Sequence, residues 1–377
     1  MTNYETDDLV ALARRSVEVI TRFQDAGGAY PASPTFPVYR YSWFRDGAFI
    51  ADAMSRVGAR RSAEAFFHWC AGVLTARRDQ ILNLVARAGT PIGRDEYLPT
   101  RYTLAGSDTG EHWWDFQIDG YGTWMWALAG HGDRWSLDLE PYRDAVRLSC
   151  QYLCAFWNTP CFDWWEEHPD DVHPSTLASV HAGIRAAMTS GLLDDSLASD
   201  AKSVCARIES FLLTDAAVDG HLVKSIGRTD VDASLIACFT PFDVFPLTSP
   251  LGGNTYARVR SDLAPDGVHR YRADTFYGGG RWLVLTGLLG WHEARTGDRP
   301  AALARLRWMH ARATHDGYLP EQVTDHSLHP ERIDEWIERW GTVATPLLWS
   351  HAMYLSAGVA LGLWGADLGD APAGTLS

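Results

Sequence analysis

Apolar residues recur at intervals of three and four along most of the chain, which is the spacing that one face of an α-helix requires. In the first such segment, Leu9, Leu12, Val17, Ile20 and Phe23 follow this period. Stretches rich in proline, glycine and aromatic residues interrupt the pattern every few tens of residues. The predicted helices lie near 7–23, 46–57, 62–88, 121–129, 139–156, 175–187, 196–213, 255–263, 282–296, 300–313 and 344–363, with a short apolar helix that ends at Cys238.

The order of these segments is repetitive, with a loop, a helix, a short turn and a second helix before the next loop. About twelve helices arranged as hairpins predict an all-α fold, an (α/α)6 barrel in which six pairs close into a ring. No shift in composition marks a second domain, so residues 1–377 are expected to form a single domain with a frayed C-terminal tail from about 371. In such a ring the loops at one end gather over the axis, which brings together residues that are far apart in sequence.

Composition and charge limit the class of function. The chain has 33 basic and 47 acidic residues and a formal charge of -14, which disfavours nucleic acid or an anionic membrane as a partner. With no basic-then-apolar leader and no long uncharged apolar segment, we expect a soluble cytoplasmic protein. The 6 cysteines show no CxxC spacing, so no zinc site is predicted. The 17 tryptophans and 14 tyrosines offer flat faces that suit sugar rings.

The strongest chemical signal lies in residues 161–169, where Glu166 and Glu167 directly follow Trp164 and Trp165. Burial against aromatic rings and a neighbouring like charge both disfavour the ionised form of a carboxyl group. One member of the pair is therefore expected to stay protonated near neutral pH and act as an acid, while the other stays charged. The alternative is an ordinary acidic pair at the start of a helix, where the helix dipole favours negative charge.

Five groups of loop residues together resemble the catalytic domain of glycoside hydrolase family 15, the glucoamylase and glucodextranase group. They occur in the order that the family has, and they cover nearly the whole chain. The motifs are Tyr39-x-Tyr41-x-Trp43-x-Arg45-Asp46, Trp113 with Gln117-x-Asp119-Gly120, Trp165-Glu166-Glu167, Arg270-Tyr271-x-x-Asp274-Thr275-Phe276-Tyr277 with Trp282, and Gly317-Tyr318-Leu319-Pro320-Glu321-Gln322.

The resemblance implies an inverting, exo-acting glucoside hydrolase that uses no metal and no cofactor. Inversion needs one carboxylic acid that protonates the leaving oxygen and one carboxylate that activates water on the opposite face of the sugar. By resemblance, Glu166 is the general acid, Glu321 is the general base and Tyr39 lies near the nucleophilic water. The implied sugar-binding residues are Trp43, Arg45, Asp46, Trp113, Trp165, Glu167, Arg270 and Trp282. Taken singly, each has an ordinary alternative, such as a surface ion pair for Arg45 and Asp46.

One position departs from the family pattern. Phe276 stands where the family usually has a second tyrosine, so a hydroxyl that would hydrogen-bond near Tyr39 is missing. The Tyr39 hydroxyl is then free to act with Glu321 on the nucleophilic water. This hypothesis predicts that three titrating groups, rather than two, shape the pH dependence of turnover.

The expected substrate is a short α-glucoside. Neither the sandwich domain that precedes the barrel in many bacterial family members nor a starch-binding module is present in this sequence, which favours oligosaccharides over long polymers. We expect isomaltose or another α-1,6-linked oligosaccharide as the substrate and β-D-glucose as the product. The alternatives are an α-1,4 glucoamylase or a trehalase of the same fold, and a catalytically inactive carbohydrate-binding or scaffolding barrel. Both Glu166 and Glu321 stand in their motifs, which argues against an inactive barrel. The oligomeric state is not indicated.

Overall fold

The computed structural model describes residues 3–111, 113 and 116–369, and its helices confirm the predicted all-α class. The frayed tail predicted from about 371 lies outside the described residues. Within the described ranges there are thirteen α-helices. They are α1 Asn3–Phe23, α2 Phe44–Arg56, α3 Arg60–Ala76, α4 Arg78–Ala86, α5 Asp119–Trp135, α6 Arg143–Phe156, α7 Pro174–Thr189, α8 Asp195–Asp215, α9 Pro250–Leu263, α10 Leu283–Arg295, α11 Arg299–His310, α12 Ile333–Trp340 and α13 Leu348–Ala360.

Six apolar segments form a closed inner ring. Helices α2, α5 and α7, the 3-10 segment Ala233–Cys238, and helices α10 and α13 each pack on the next, and α13 packs back on α2. The outer layer consists of α3 on α2, α6 on α5 and α7, α8 on α7, α9 on the 3-10 segment, α11 on α10, and α1 on α13. The predicted (α/α)6 barrel is therefore confirmed, with α4 and α12 as additional helices.

Three short antiparallel strand pairs fix the loops between the helices. Strand β1, Ser42–Trp43, pairs with β2, Arg101–Tyr102, so that Trp43 lies opposite Arg101. Strand β3, Ala217–Val218, pairs with β4, His221–Leu222. Strand β5, Arg281–Trp282, pairs with β6, Gln322–Val323, so that Trp282 lies opposite Gln322. The first and third pairs hold predicted site residues at the entrances to α2 and α10.

One helix prediction was wrong in detail. The segment predicted as one helix over 62–88 is divided at Arg77 into α3 and α4, where the Arg77 guanidinium donates to the carbonyl oxygens of Val73 and Gly106, both at 3.0 Å. These contacts tie the end of α3 to a loop that is distant in sequence, so local periodicity does not reveal the break. The predicted short helix that ends at Cys238 is confirmed and has 3-10 geometry, whereas α12 was not predicted.

The closest approach of two inner helices depends on glycine. A Cβ atom on Gly183 in α7 would lie 2.4 Å from the carbonyl oxygen of Gly122 in α5, and a Cβ on Gly122 would lie 2.3 Å from the carbonyl oxygen of Ser179. Both distances are shorter than any tolerable contact, and the obstacles are backbone atoms that do not move aside easily. The two helices therefore pack backbone to backbone.

We expect Gly183→Ala to destabilise the protein by about 1–3 kcal/mol, because the added methyl group forces α5 and α7 apart. The matched control is Gly72→Ala in α3, where a Cβ meets no atom within 4 Å. That change should be stabilising, by about 0.5–1 kcal/mol, since alanine is the better helix former. Urea denaturation of both variants checks this, and equal free energies of unfolding would contradict the close crossing.

Candidate active site

One cavity, of about 240 Å³, collects every residue that the sequence placed in the site. It lies where the segments that lead into the inner helices α2, α5, α7, α10 and α13 meet, which explains why its residues come from the whole length of the chain. The predicted residues that line it are Tyr39, Trp43, Arg45, Asp46, Trp113, Trp165, Glu166, Glu167, Arg270, Trp282 and Glu321.

Two indole groups hold the carboxyl group of Glu166. Trp43 donates from Nε1 to Oε1 at 2.6 Å, and Trp113 donates from Nε1 to Oε2 at 2.8 Å. Protein surrounds the group except on its cavity side, and this burial raises the pKa of Glu166 to about 7, although the Arg45 charge and the Trp43 bond act in the opposite direction. Near neutral pH a large fraction of Glu166 is therefore protonated and able to donate a proton.

The turn that presents Glu166 has an unusual backbone. Glu166 has a φ of 63°, in the left-handed region, which costs a residue other than glycine about 1–2 kcal/mol. Asp163 stabilises the turn, since its Oδ1 accepts hydrogen bonds at 2.9 Å from the backbone N–H groups of both Trp165 and Glu167. This backbone conformation directs the Glu166 side chain towards the two indoles.

Glu167 contacts different partners from Glu166. Its Oε1 accepts a hydrogen bond from Arg270 Nη2 at 3.2 Å, and its Oε2 accepts one from the hydroxyl of Tyr271. The sequence predicted that the charge of Glu167 helps to keep Glu166 protonated. In the structure burial is the largest cause of the raised pKa of Glu166, and Asp46 is the carboxylate whose charge adds to it.

The backbone of Glu321 is hydrogen-bonded to two other segments of the chain, one before α13 and one at the start of α10. Its backbone N–H donates to the carbonyl oxygen of Ala344 at 2.9 Å, and its carbonyl oxygen accepts from Leu283 at 3.1 Å. Burial raises the pKa of Glu321 to about 8, while the Arg270 charge and a hydrogen bond from Tyr39 act to lower it. Burial, together with the charges of Glu321 and Glu166, raises the pKa of Tyr39 well above its usual value. Tyr39 therefore stays a neutral phenol beside Glu321.

Arg45 and Asp46 occupy the first turn of α2. Arg45 Nη1 donates to Gln117 Oε1 at 2.7 Å and to Asp119 Oδ2 at 3.0 Å, and Arg45 Nε lies 3.4 Å from Asp46 Oδ2. The side chains of Arg45 and Asp46 are only 6% and 10% exposed, which rules out a surface ion pair. Burial raises the pKa of Asp46 to about 6. The pair forms part of the cavity wall as a fixed set of donors and acceptors.

Arg270 forms another part of the cavity wall. Its guanidinium makes two hydrogen bonds to Asp274, one of them from Nε to Oδ2 at 2.7 Å. It lies over the rings of Trp282 at 5.0 Å and Trp165 at 5.4 Å. A cation held between a carboxylate and aromatic faces has little rotational freedom, so Arg270 presents a fixed positive charge to the cavity.

Sequence analysis missed part of the aromatic wall. Helix α12 brings Trp336 and Trp340 to the cavity, and the Trp340 ring stacks on Trp113 with a centroid distance of 6.5 Å. A signal was present, because residues 333, 336, 337 and 340 are apolar at the i, i+3, i+4 and i+7 spacing of a helix. Eight of the 17 tryptophans line the cavity, which accounts for much of the tryptophan content: Trp43, Trp113, Trp164, Trp165, Trp282, Trp336, Trp340 and Trp349.

Phe276 belongs to the same aromatic wall. Its ring lies 4.9 Å from that of Trp336 and 6.0 Å from that of Trp282, and it lines the cavity. The phenyl group has no hydroxyl to offer Tyr39, whose phenol interacts electrostatically with Glu321. The hypothesis that Tyr39 joins Glu321 in activating water stays a prediction.

A potential metal-ligand group lies beside the cavity. Asp163, Glu167 and His168 bring one ligand atom each within 4.8 Å of one another. Lys224 already donates to Asp163 at 2.9 Å, and Arg270 and Tyr271 already donate to Glu167. These carboxylates are thus neutralised by the protein's own donors, and the absence of a metal from the reaction stays a prediction.

Residues 8–287 match the model of the family described as "Glycosyl hydrolases family 15". The chain belongs to glycosyl hydrolase family 15. This agrees with a cavity that holds two carboxyl groups of raised pKa among aromatic rings, as a glycosidase requires.

Several relatives cover nearly all of the chain. It is 50% identical over 368 residues to the isomaltose glucohydrolase of Kribbella flavida, an alignment that covers 96% of each chain. A solved structure described as a wild-type glycosidase is 48% identical and superposes with a TM-score of 0.94, covering 97% of this chain and 100% of that one. A variant of that glycosidase has been solved in complex with glucose, with the same overlap. The glucoamylase of Hormoconis resinae shares the fold alone, at 16% identity, a TM-score of 0.69 and coverage of 99% and 76%.

We expect Trp43→Phe to move the pH optimum of hydrolysis upwards. Removing the indole N–H removes a bond that favours the ionised form of Glu166, so the pKa of Glu166 rises. Because the optimum of a two-carboxyl mechanism lies midway between the two pKa values, a rise of about one unit moves it by about half a unit.

The matched control is Trp336→Phe, because the Trp336 indole lines the same cavity but donates to the carbonyl oxygen of Thr275 at 2.9 Å. Its pH optimum should equal that of the wild type. Profiles of kcat/KM against pH measure both variants, and an unchanged optimum in Trp43→Phe would contradict the importance of this bond.

Proposed function

We propose that this protein is an inverting, exo-acting glucohydrolase that releases β-D-glucose from the non-reducing end of short α-glucosides, with isomaltose as its main substrate. The observation that carries the proposal is the pair of carboxyl groups, Glu166 and Glu321, at one aromatic cavity with both pKa values raised towards neutrality. Near neutral pH such a pair has forms in which one group is protonated and the other ionised, as acid and base catalysis by two carboxyl groups requires.

In the proposed reaction, protonated Glu166 gives its proton to the glycosidic oxygen as the bond from that oxygen to C1 breaks. Ionised Glu321 takes a proton from a water molecule, whose oxygen forms the new bond to C1 from the opposite face. Glu166 ends the step ionised and Glu321 ends it protonated, and exchange with solvent restores both. The roles of acid and base are assigned from the family motifs. The pKa values do not assign them, because the pKa of Glu321, about 8, is not below that of Glu166, about 7.

The exo action is supported by buried charged residues in the cavity wall. Arg45 and Asp46 line the cavity beside Trp349, and each of the three is less than a tenth exposed. Fixed charged donors and acceptors suit the adjacent hydroxyls of a terminal sugar. Trp113, Trp336 and Trp340 line the same cavity and offer faces on which a second sugar ring packs.

The preference for isomaltose is supported by relatedness. The Kribbella flavida protein named isomaltose glucohydrolase is 50% identical over almost the full length of both chains. An α-1,4 glucoamylase or a trehalase of the same fold would use the same two carboxyl groups, so rates on isomaltose, maltose, trehalose and soluble starch separate these activities. Fastest release of glucose from trehalose or starch would overturn the proposed substrate.

We also propose that the chain acts as one catalytic domain, since the inner ring draws helices from α2 to α13. Among the residues that the structure describes, none of the helices has the length and apolar character needed to cross a membrane. The cytoplasmic location and the lack of nucleic-acid partners remain predictions from the sequence.

We expect Glu166→Gln and Glu321→Gln each to lower the hydrolysis of isomaltose by about 10²–10⁴-fold, because each removes a group that transfers a proton in the transition state. α-Glucosyl fluoride distinguishes the two roles, since fluoride leaves with little protonation. This substrate should partly restore the rate of Glu166→Gln and should not restore that of Glu321→Gln.

Thermal unfolding of both variants provides the control for folding. Near wild-type activity in either variant, or rescue of Glu321→Gln in place of Glu166→Gln, would contradict the assignment of acid and base.

We expect the pH optimum of kcat/KM to lie near neutrality. Below the pKa values of about 7 and about 8 both carboxyl groups are protonated and no base remains, whereas above them both are ionised and no acid remains. Activity is therefore lost in both directions from a maximum between them. An optimum near pH 4, where ordinary glutamates titrate, would contradict the effect of burial.

A further inference from the structure

Lys224 is buried beside the catalytic cavity, and its ammonium group is shared by three loops. It is one of two lysines in the chain and is 3% exposed. Nζ donates to Asp163 Oδ2 at 2.9 Å and to Asp232 Oδ2 at 2.7 Å, and it lies 3.9 Å from the centre of the Tyr271 ring. A buried ammonium group is stable only with such compensation, so these contacts fix its position.

Asp163 connects Lys224 to the turn that presents Glu166. One oxygen of Asp163 binds the lysine, and the other accepts the backbone N–H groups of Trp165 and Glu167. Its carboxylate is therefore held at both ends. Glu166 lies inside this turn with a φ of 63°, so the Asp163 carboxylate stabilises a strained backbone that is otherwise held by backbone bonds between Asp163 and residues 166 and 167.

Asp232 connects the same lysine to the sugar-facing tryptophan. Its Oδ2 accepts a hydrogen bond from Trp165 Nε1 at 2.8 Å as well as the bond from Lys224, and its Oδ1 accepts from the backbone of Ser234 at 2.8 Å. The Trp165 indole is thus fixed at its polar edge while its ring faces the cavity.

Tyr271 completes the connection. Its ring covers the ammonium group of Lys224, and its hydroxyl donates to Glu167, the residue after the proposed acid. Burial disfavours the charge on Lys224, but the two carboxylates raise its pKa above the ordinary value, and the lysine charge contributes to a lowered pKa of Asp163 despite burial. Lys224 and Asp163 are therefore both ionised at every pH at which the enzyme would work.

We propose that Lys224 is a positioning residue for acid catalysis: through Asp163 and Asp232 it fixes the turn that aims Glu166 at the glycosidic oxygen. The inference rests on the proposed function, because the placement of Glu166 affects the rate of hydrolysis only if Glu166 acts as a general acid. Lys224 does not line the cavity, so it is not placed to touch a sugar bound there. Its effect on rate is exerted through the placement of Glu166.

The leaving group separates positioning from a merely structural role. A misplaced acid slows the departure of a sugar, which needs a proton, and has little effect on fluoride, which does not. Loss of folded protein instead lowers the rates on both substrates by the same factor. The informative quantity is therefore the ratio of kcat on isomaltose to kcat on α-glucosyl fluoride.

We expect Lys224→Met to lower this ratio by on the order of 10²-fold, the cost of a catalytic group displaced by about 1 Å. Because that variant leaves two buried carboxylates without their cation, Asp232→Asn provides a second test that keeps Lys224 paired with Asp163. It should lower the ratio by about tenfold, because it weakens the hydrogen bond from Trp165 Nε1 to residue 232 and one of the two ion pairs of Lys224.

The matched control is Glu293→Gln, which weakens a buried ion pair with Arg305 in α10 and α11, away from the cavity. It should lower the unfolding temperature and leave the ratio at its wild-type value. An unchanged ratio in a folded Lys224→Met, or in Asp232→Asn if the lysine variant does not fold, would overturn the inference. A wild-type protein that hydrolyses neither substrate would instead overturn the proposed function.

Discussion

Desolvation of two carboxyl groups determines the chemistry that the site can perform. In water both would ionise near pH 4 and neither would be a useful acid at neutrality. Among aromatic rings the ionised forms are disfavoured, so Glu166 and Glu321 titrate near pH 7 and 8. Neighbouring groups limit this rise in pKa. Indole N–H groups and Arg45 favour the ionised form of Glu166, and Arg270 and Tyr39 favour the ionised form of Glu321.

The barrel surrounds the cavity, and the loops position the catalytic side chains in it. Six inner segments pack in a ring, with contacts as close as the crossing at Gly122 and Gly183. The catalytic side chains lie in irregular segments that such packing does not hold by itself. Short strand pairs fix Trp43 and Trp282, whereas the turn at Glu166 is held by hydrogen bonds that the Asp163 carboxylate accepts from backbone N–H groups. Strain at Glu166 is thus balanced by a buried charged network.

Much of this was predictable from the sequence. Helical periodicity was sufficient for the fold class and for most helices, and the ordered motifs were sufficient to bring the predicted residues to one cavity. The roles of Asp163, Asp232 and Lys224 were not predictable, because Lys224 meets Asp163 across 61 residues and only the folded loops bring them together. Helix α12, in contrast, was predictable, because its apolar residues have helical spacing in the sequence, but it was not predicted.

If Glu166 and Glu321 act on opposite faces of the same sugar, the glucose unit that is released has an inverted anomeric centre. Isomaltose should be hydrolysed by enough enzyme to finish before mutarotation, while proton NMR follows the anomeric signals of the glucose released. β-Glucose derived from the non-reducing unit should appear first, and its α anomer should grow in later. Release of that unit first as α-glucose would contradict action from opposite faces, because it would require a covalent intermediate and a different arrangement of the two carboxyl groups.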